Sequence, residues 1–180
     1  PEAKRFKMLV NGAKERNMRL AFNFTADSQD KHDPACPEYL RERGCKYFET
    51  RTGSATVWTP YPDDPVFQQC YAEFIHDFAQ EFNDPDRIAF IGGKWGEYHA
   101  CRYSTGDDSP REQVFDFLVD TFVKEFTKIP ITINAHRWIG TGVQWRDDFD
   151  PDSERLIQGA IAKGFSLQSA AFGMHRYFST

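Results

Sequence analysis

The run Arg87–His99, RIAFIGGKWGEYH, constrains the fold more than any other stretch of the chain. Ile88, Ala89, Phe90 and Ile91, closed by Gly92 and Gly93, form a continuous apolar segment. A parallel strand covered on both faces reads this way. The character then changes at Lys94, Trp95, Gly96, Glu97, Tyr98 and His99. Polar and aromatic residues crowded at the carboxyl end of such a strand are where α/β folds place their chemistry. Glu97 is therefore the residue against which the rest of the chain is placed.

The segments around it alternate between helix and strand patterns. Phe6, Leu9, Val10 and Ala13 recur at helical spacing, which predicts an amphipathic helix over 2–16, ending near Asn17. Arg19–Phe24 (RLAFNF) reads as a short buried strand. Thr25 to Asp64 has no clear periodicity over about forty residues, against usual connections of roughly 4–6. It is either a functional loop over the active-site face or a segment with small structure of its own. Within it, Lys46–Glu49 and Ala55–Trp58 could pair as a hairpin about Arg51–Ser54.

Asp63-Asp64-Pro65 is a helix start, an aspartate cap with proline in the first turn. Phe67, Cys70, Tyr71, Phe74, Phe78 and Phe82 then keep one apolar face until Asn83-Asp84-Pro85. After the strand Arg87–Gly93, a loop leads to a capping box at Ser109-Pro110-Arg111-Glu112. Val114, Phe115, Leu118, Val119, Phe122, Val123 and Phe126 line the helix behind it. Ile129–Ala135 (IPITINA) is a further strand, and Asp150-Pro151 opens a last helix that stops at Gly164. Phe165–Phe172 follows as the final strand. Strict alternation means right-handed crossovers and a parallel sheet. A doubly wound sheet and a (β/α)8 barrel both fit. No strand leads into G-x-G-x-x-G, which weakens the dinucleotide-binding version, and polar groups at several strand ends favour the barrel.

A complete barrel needs eight strands and roughly 250 residues. The 180 residues are therefore expected to form one domain that is an incomplete half of a barrel: four consecutive βα units, strands three to six. The start at Pro1, without methionine, fits an excised piece whose partner is the remaining half from the parent chain. Such a half is expected to hold an apolar interior between two open edges, and to be unstable or oligomeric alone. A net charge of -5 lacks the basic footprint of a nucleic-acid partner, and no apolar run is long enough to span a membrane. Cys36, Cys45, Cys70 and Cys101 lack C-x-x-C spacing; Cys36 and Cys45 could be bridged or free, and Cys70 falls on a helix core face.

VWTPYPDDPVFQQC, a helix, and then DPDRIAFIGGKWGEYH together resemble the third and fourth βα units of clan A-type glycoside hydrolase barrels. The resemblance is nearest to family 42-like β-galactosidase relatives and to barrels of the domain of unknown function 4832, and covers residues 19–138. Its most specific motif is Trp95-Gly96-Glu97-Tyr98-His99. It implies that Glu97 is the general acid/base of O-glycoside hydrolysis by a retaining mechanism. It further implies that the nucleophile ends strand seven, beyond this chain, that no cofactor is used, and that the parent is exported to the periplasm or outside the cell. One departure stands out: the clan usually places asparagine, a ligand of the sugar's 2-hydroxyl, where this chain has Gly96.

Residue chemistry supports a proton donor on separate grounds. A glycosidic oxygen needs a proton from a carboxylic acid held near neutrality, and Trp95 and Tyr98 beside Glu97 would disfavour its charged form. The alternative is a structural glutamate paired with Arg102 or Arg137. His99 and His136 could join Glu97 in a two-histidine, one-carboxylate metal site, though pocket hydrogen bonding explains them as well and no tight ligand spacing exists. Asn134, Arg137 and Gln168 could donate to sugar hydroxyls or simply hold the rim. Trp58, Tyr61, Trp138 and Trp145 fall in expected loops, where aromatic faces either stack on a carbohydrate substrate or act as lids. Asp147 and Asp148 are either a second carboxylate or solvated charges near a helix cap. The candidate substrate contacts are thus Trp58, Trp95, Tyr98, His99, Asn134, His136, Arg137 and Trp138. A non-catalytic carbohydrate-binding barrel and a metal-dependent hydrolase remain the competing readings.

Overall fold

The computed structural model describes residues 2–24, 37–52, 55–93, 111–134 and 151–168. Along the chain they form α1 (Glu2–Lys14), β1 (Leu20–Phe24), α2 (Tyr39–Glu42), β2 (Tyr47–Thr52), β3 (Ala55–Pro60) and α3 (Pro65–Phe82). These are followed by β4 (Ile88–Gly93), α4 (Arg111–Glu125), β5 (Ile131–Asn134), α5 (Pro151–Ala162) and β6 (Ser166–Gln168). β1, β4, β5 and β6 make one four-stranded sheet in that order, and every pairing is parallel. Each new strand is added on the same side of its predecessor, with none of the reversal that defines a doubly wound sheet.

Right-handed crossovers between strands added in one direction put their helices on one face. Contacts along the helix layer follow the strand order. Lys7 of α1 meets Glu81 of α3 at 3.0 Å, His76 of α3 meets Glu125 of α4 at 2.9 Å, and Lys163 after α5 meets Asp120 of α4 at 2.7 Å. These pairs are largely exposed and mark neighbours more than they stabilise them.

The core lies between that layer and the sheet. α3 buries Phe67, Cys70, Tyr71, Ile75, Ala79 and Phe82, spaced for one helical face. Val114, Phe115, Leu118, Val119 and Phe122 do the same on α4, as do Leu156, Ile157 and Ala160 on α5, against Ile88, Ile91, Ile131 and Ile133 of the strands. Asp64 starts α3 as its N-cap, its carboxylate accepting from Val66 and Phe67 N–H at 2.9 and 3.2 Å. The α3 cap is as expected; Ser109 and Pro110, expected to cap α4, lie outside the described residues.

Three expectations are corrected in detail. The stretch 25–64 carries α2 and an antiparallel hairpin that pairs Tyr47–Thr52 with Ala55–Pro60, longer than the sequence pattern predicted. Cys45 is a free, buried thiol, which removes a Cys36–Cys45 bridge. On α1 only Val10 and Ala13 of the expected apolar face are buried, while Phe6 and Leu9 remain 43% and 57% exposed. The reason is position. α1 flanks β1, an edge strand, and among the described residues nothing packs on its far side.

Candidate functional site

Because the four strands are parallel, Phe24, Gly93, Asn134 and Gln168 all end at one edge of the sheet. Phe24 pairs with Gly93, Gly93 with Ile133, and Asn134 with Gln168. Two of the sequence-derived candidates thus touch this edge directly: Asn134 is the last residue of β5, and it sits in register with Gln168, the last of β6. Trp95, Glu97, Tyr98, His99, Arg102, His136, Arg137, Trp138, Trp145, Asp147 and Asp148 lie outside the described residues. In sequence, Glu97 follows the end of β4 by four positions and His136 follows the end of β5 by two.

The two faces of the sheet differ in chemistry. Facing the helices are Phe22 with Ile91 and Ile131 in one row, and Phe24 with Gly93, Ile133 and Leu167 in the next. Phe22 packs edge-on against Phe78 at 5.3 Å, and Phe24 meets Phe74, Phe78 and Phe122 at 5.5, 4.9 and 6.0 Å. Side chains alternate along a strand, so the residues between them belong to the opposite face. That face carries Ala21 and Phe90 in its lower row, then Asn23, Gly92, Thr132 and Ser166. Asn134 and Gln168 share its last row by register. Polarity therefore increases toward the carboxyl edge. Asn23 and Ser166 are exposed and Thr132 is half-buried, its Oγ1 donating weakly to Ile91 O at 3.4 Å. The expectation of an apolar interior is corrected here. Upper rows of this face are polar, and no described residue covers them.

The entry to the central strand is fixed by a charged turn. The Asp84 carboxylate accepts from the Asp86 N–H at 2.9 Å and from Arg87 Nε at 2.7 Å, while Arg87 Nη2 donates to Glu81 O at 2.6 Å. The Asp86 backbone donor, then the Arg87 guanidinium, hold the Asp84 carboxyl below the usual carboxylate range. A ligand face on β4 thereby gains a rigid approach from below.

Above the carboxyl edge stands the hairpin. Phe82 lies beside Phe22 and Phe74 beside Phe24, so α3 runs antiparallel to β1 and its first residue is on the carboxyl side. Asp64 at that helix start also accepts from Lys46 N–H at 3.3 Å, and the Tyr61 N–H donates to Lys46 O at 3.0 Å. Phe48 stacks on Tyr61 at 4.9 Å, which gives Tyr61 a packing role. Trp58 belongs to β3, opposite Glu49, instead of a loop. The Cys45 thiol beneath the hairpin is pushed up to about 12, first by burial and then by the Asp64 carboxylate, and is no nucleophile.

A groove of about 410 Å³ opens elsewhere, between α3 and α4, lined by Glu73, His76, Asp77, Thr121, Lys124 and Glu125. No strand-end residue reaches it. Its histidine is engaged with Glu125, and among the described residues no group of three or more His, Cys, Asp or Glu side chains is placed to hold a metal ion. We assign the groove to the seam between two helices.

Asn23, Thr132 and Ser166 were missed by the sequence reading, although the signal was present. Phe22-Asn23-Phe24 and Ile131-Thr132-Ile133 alternate apolar and polar residues, the period of a strand with one wet face. Comparison with protein-family models, curated proteins and solved structures gives no match to this chain.

Proposed function

We propose that this chain is part of a carbohydrate-active (β/α)8 barrel in which Glu97 delivers a proton to a glycosidic oxygen. The observation that carries the reading is the asymmetry of the sheet. Strands added in sequential order, helices on one face and polar rows on the other, growing toward the carboxyl edge, are what a barrel wall with its site at the carboxyl rim requires. Glu97, His99, His136, Arg137 and Trp138 follow that rim in sequence. The remaining strands and the nucleophile of a retaining mechanism are taken to lie outside these 180 residues. In such a mechanism the acid protonates the departing oxygen while the second carboxylate attacks the anomeric carbon; the acid then acts as base toward water. The test is Glu97→Gln in the intact protein, assayed on a panel of p-nitrophenyl glycosides whose aglycone needs little proton assistance and on matching unactivated disaccharides. We expect turnover of the disaccharides to fall by at least about 100-fold, the usual share of general acid catalysis, while affinity is kept. Unchanged disaccharide turnover would end the proposal.

A second reading is favoured by Gly96, which stands where the resembling enzymes use asparagine on the 2-hydroxyl. On that reading the barrel binds carbohydrate without cleaving it. Glycan-array binding with no product from any bound glycan selects it over the hydrolase.

A further inference from the structure

We propose that Asn23, Gly92, Thr132 and Ser166 form the floor of a two-ring sugar site, with one pyranose over Gly92 and the next toward Ser166. The inference rests on the carbohydrate reading and adds residues and a ligand length to it. The four residues occupy one row across β1, β4, β5 and β6. Neighbouring strands lie about 4.8 Å apart, so the row spans roughly 14 Å and its two outer members are too far apart to hold one ring. Gly92 has no side chain and leaves a step between Asn23 and Thr132, about 10 Å apart on the same spacing. A flat ring fits that step, flanked by an amide on one side and a hydroxyl on the other. Ser166, one strand beyond Thr132, lies where a second ring would continue.

The chemistry of the row selects the ligand. Asn, Thr and Ser are neutral and each both donates and accepts, which suits ligands whose groups also do both, as sugar hydroxyls do. An anionic ligand would call for cationic partners, and the row contains none. Asn23 and Ser166 are exposed, and among the described residues neither side chain has a hydrogen-bond partner. Both are therefore available to a ligand. Phe90, in the row below beside Ala21, gives the floor an apolar base.

Isothermal titration of the intact protein with methyl β-D-galactopyranoside, methyl β-D-glucopyranoside, lactose and cellobiose tests the assignment. Asn23→Ala should weaken every sugar that binds by about tenfold, the loss of one or two hydrogen bonds. Ser166→Ala should weaken the disaccharide about fivefold and leave the methyl glycoside unchanged. Leu167→Ala, next in sequence but on the helix face, should change neither. Retained affinity in Asn23→Ala overturns the assignment while leaving the carbohydrate reading intact, because the sugar then sits elsewhere. Equal effects of Ser166→Ala on one-ring and two-ring ligands overturn the two-ring arrangement. If no sugar binds the wild type, both this inference and the carbohydrate reading fall. Should Asn23→Ala lose its fold by circular dichroism, the Ser166 variant decides.

Discussion

Phe24 and Asn23 are consecutive, yet the structure gives them opposite roles, and mutating each to alanine measures that difference. Phe24 makes three ring contacts, to Phe74, Phe78 and Phe122, all with interplanar angles of 75° or more. Truncating a buried Phe costs about 3–5 kcal/mol. Phe24 is only half-buried, so its transfer term is smaller, but each edge-on ring pair adds about 0.5–1.5 kcal/mol. The sum is about 3 kcal/mol for Phe24→Ala. Asn23→Ala removes an exposed side chain and should stay within about 0.5 kcal/mol of wild type. For a chain of this length a kcal/mol moves the melting temperature by about 2–4 °C. Thermal unfolding followed by circular dichroism should therefore separate the two variants by about 6–12 °C. A one-residue slip of β1 would exchange the faces. Equal melting temperatures, or Asn23→Ala as the worse variant, would refute the face assignment and everything built on the polar rows.

Other perturbations follow from the same packing. Asp64→Ala removes a helix cap and an acceptor for Lys46; it should cost about 2 kcal/mol by urea unfolding, and a loss under about 0.5 would mean the cap is replaceable. Gly164, at φ 101° after α5, should lose about 1–2 kcal/mol on Gly164→Ala, as a left-handed residue does, and a neutral result would contradict the backbone there. The Cys45 pKa is raised from 9.0 to about 12. The protonated thiol is thus favoured by folding, its contribution intact below pH 9 and lost as pH rises toward 12. Cys45→Ser should flatten the alkaline limb of a stability profile, and an unchanged limb would place the cause elsewhere.

How much was legible beforehand depends on the kind of signal. Helices α3 and α4 were plain because their apolar residues repeat with a period near 3.6 and their burial follows it. The alternation of helix and strand gave a parallel sheet for the same reason. The short strands were harder. Ile88–Gly93 looked covered on both faces because Phe90 is apolar, and only the pairing of Phe90 with Ala21, set by a register shift after Leu20, puts it on the face away from the helices. The hairpin Tyr47–Pro60 was half seen: its residues have strand propensity, but its anchor is a single long-range bond from Lys46 to Asp64 that no local pattern encodes. Candidate residues gathered after the strands, such as Glu97 and His136, were found by type and position. Asn23, Thr132 and Ser166 required the register, since nothing in their own neighbourhoods distinguishes a wet sheet face from a turn.

Backbone amide shifts recorded while the intact, isotopically labelled protein is titrated with the disaccharide it binds test the central claim most directly. The proposed site predicts shifts at Asn23, Gly92, Thr132 and Ser166 and at the residues following Gly93, with none at His76 or Lys124 on the outer helices. Shifts confined to the α3–α4 groove would place the sugar on the wrong side of the sheet and contradict the account.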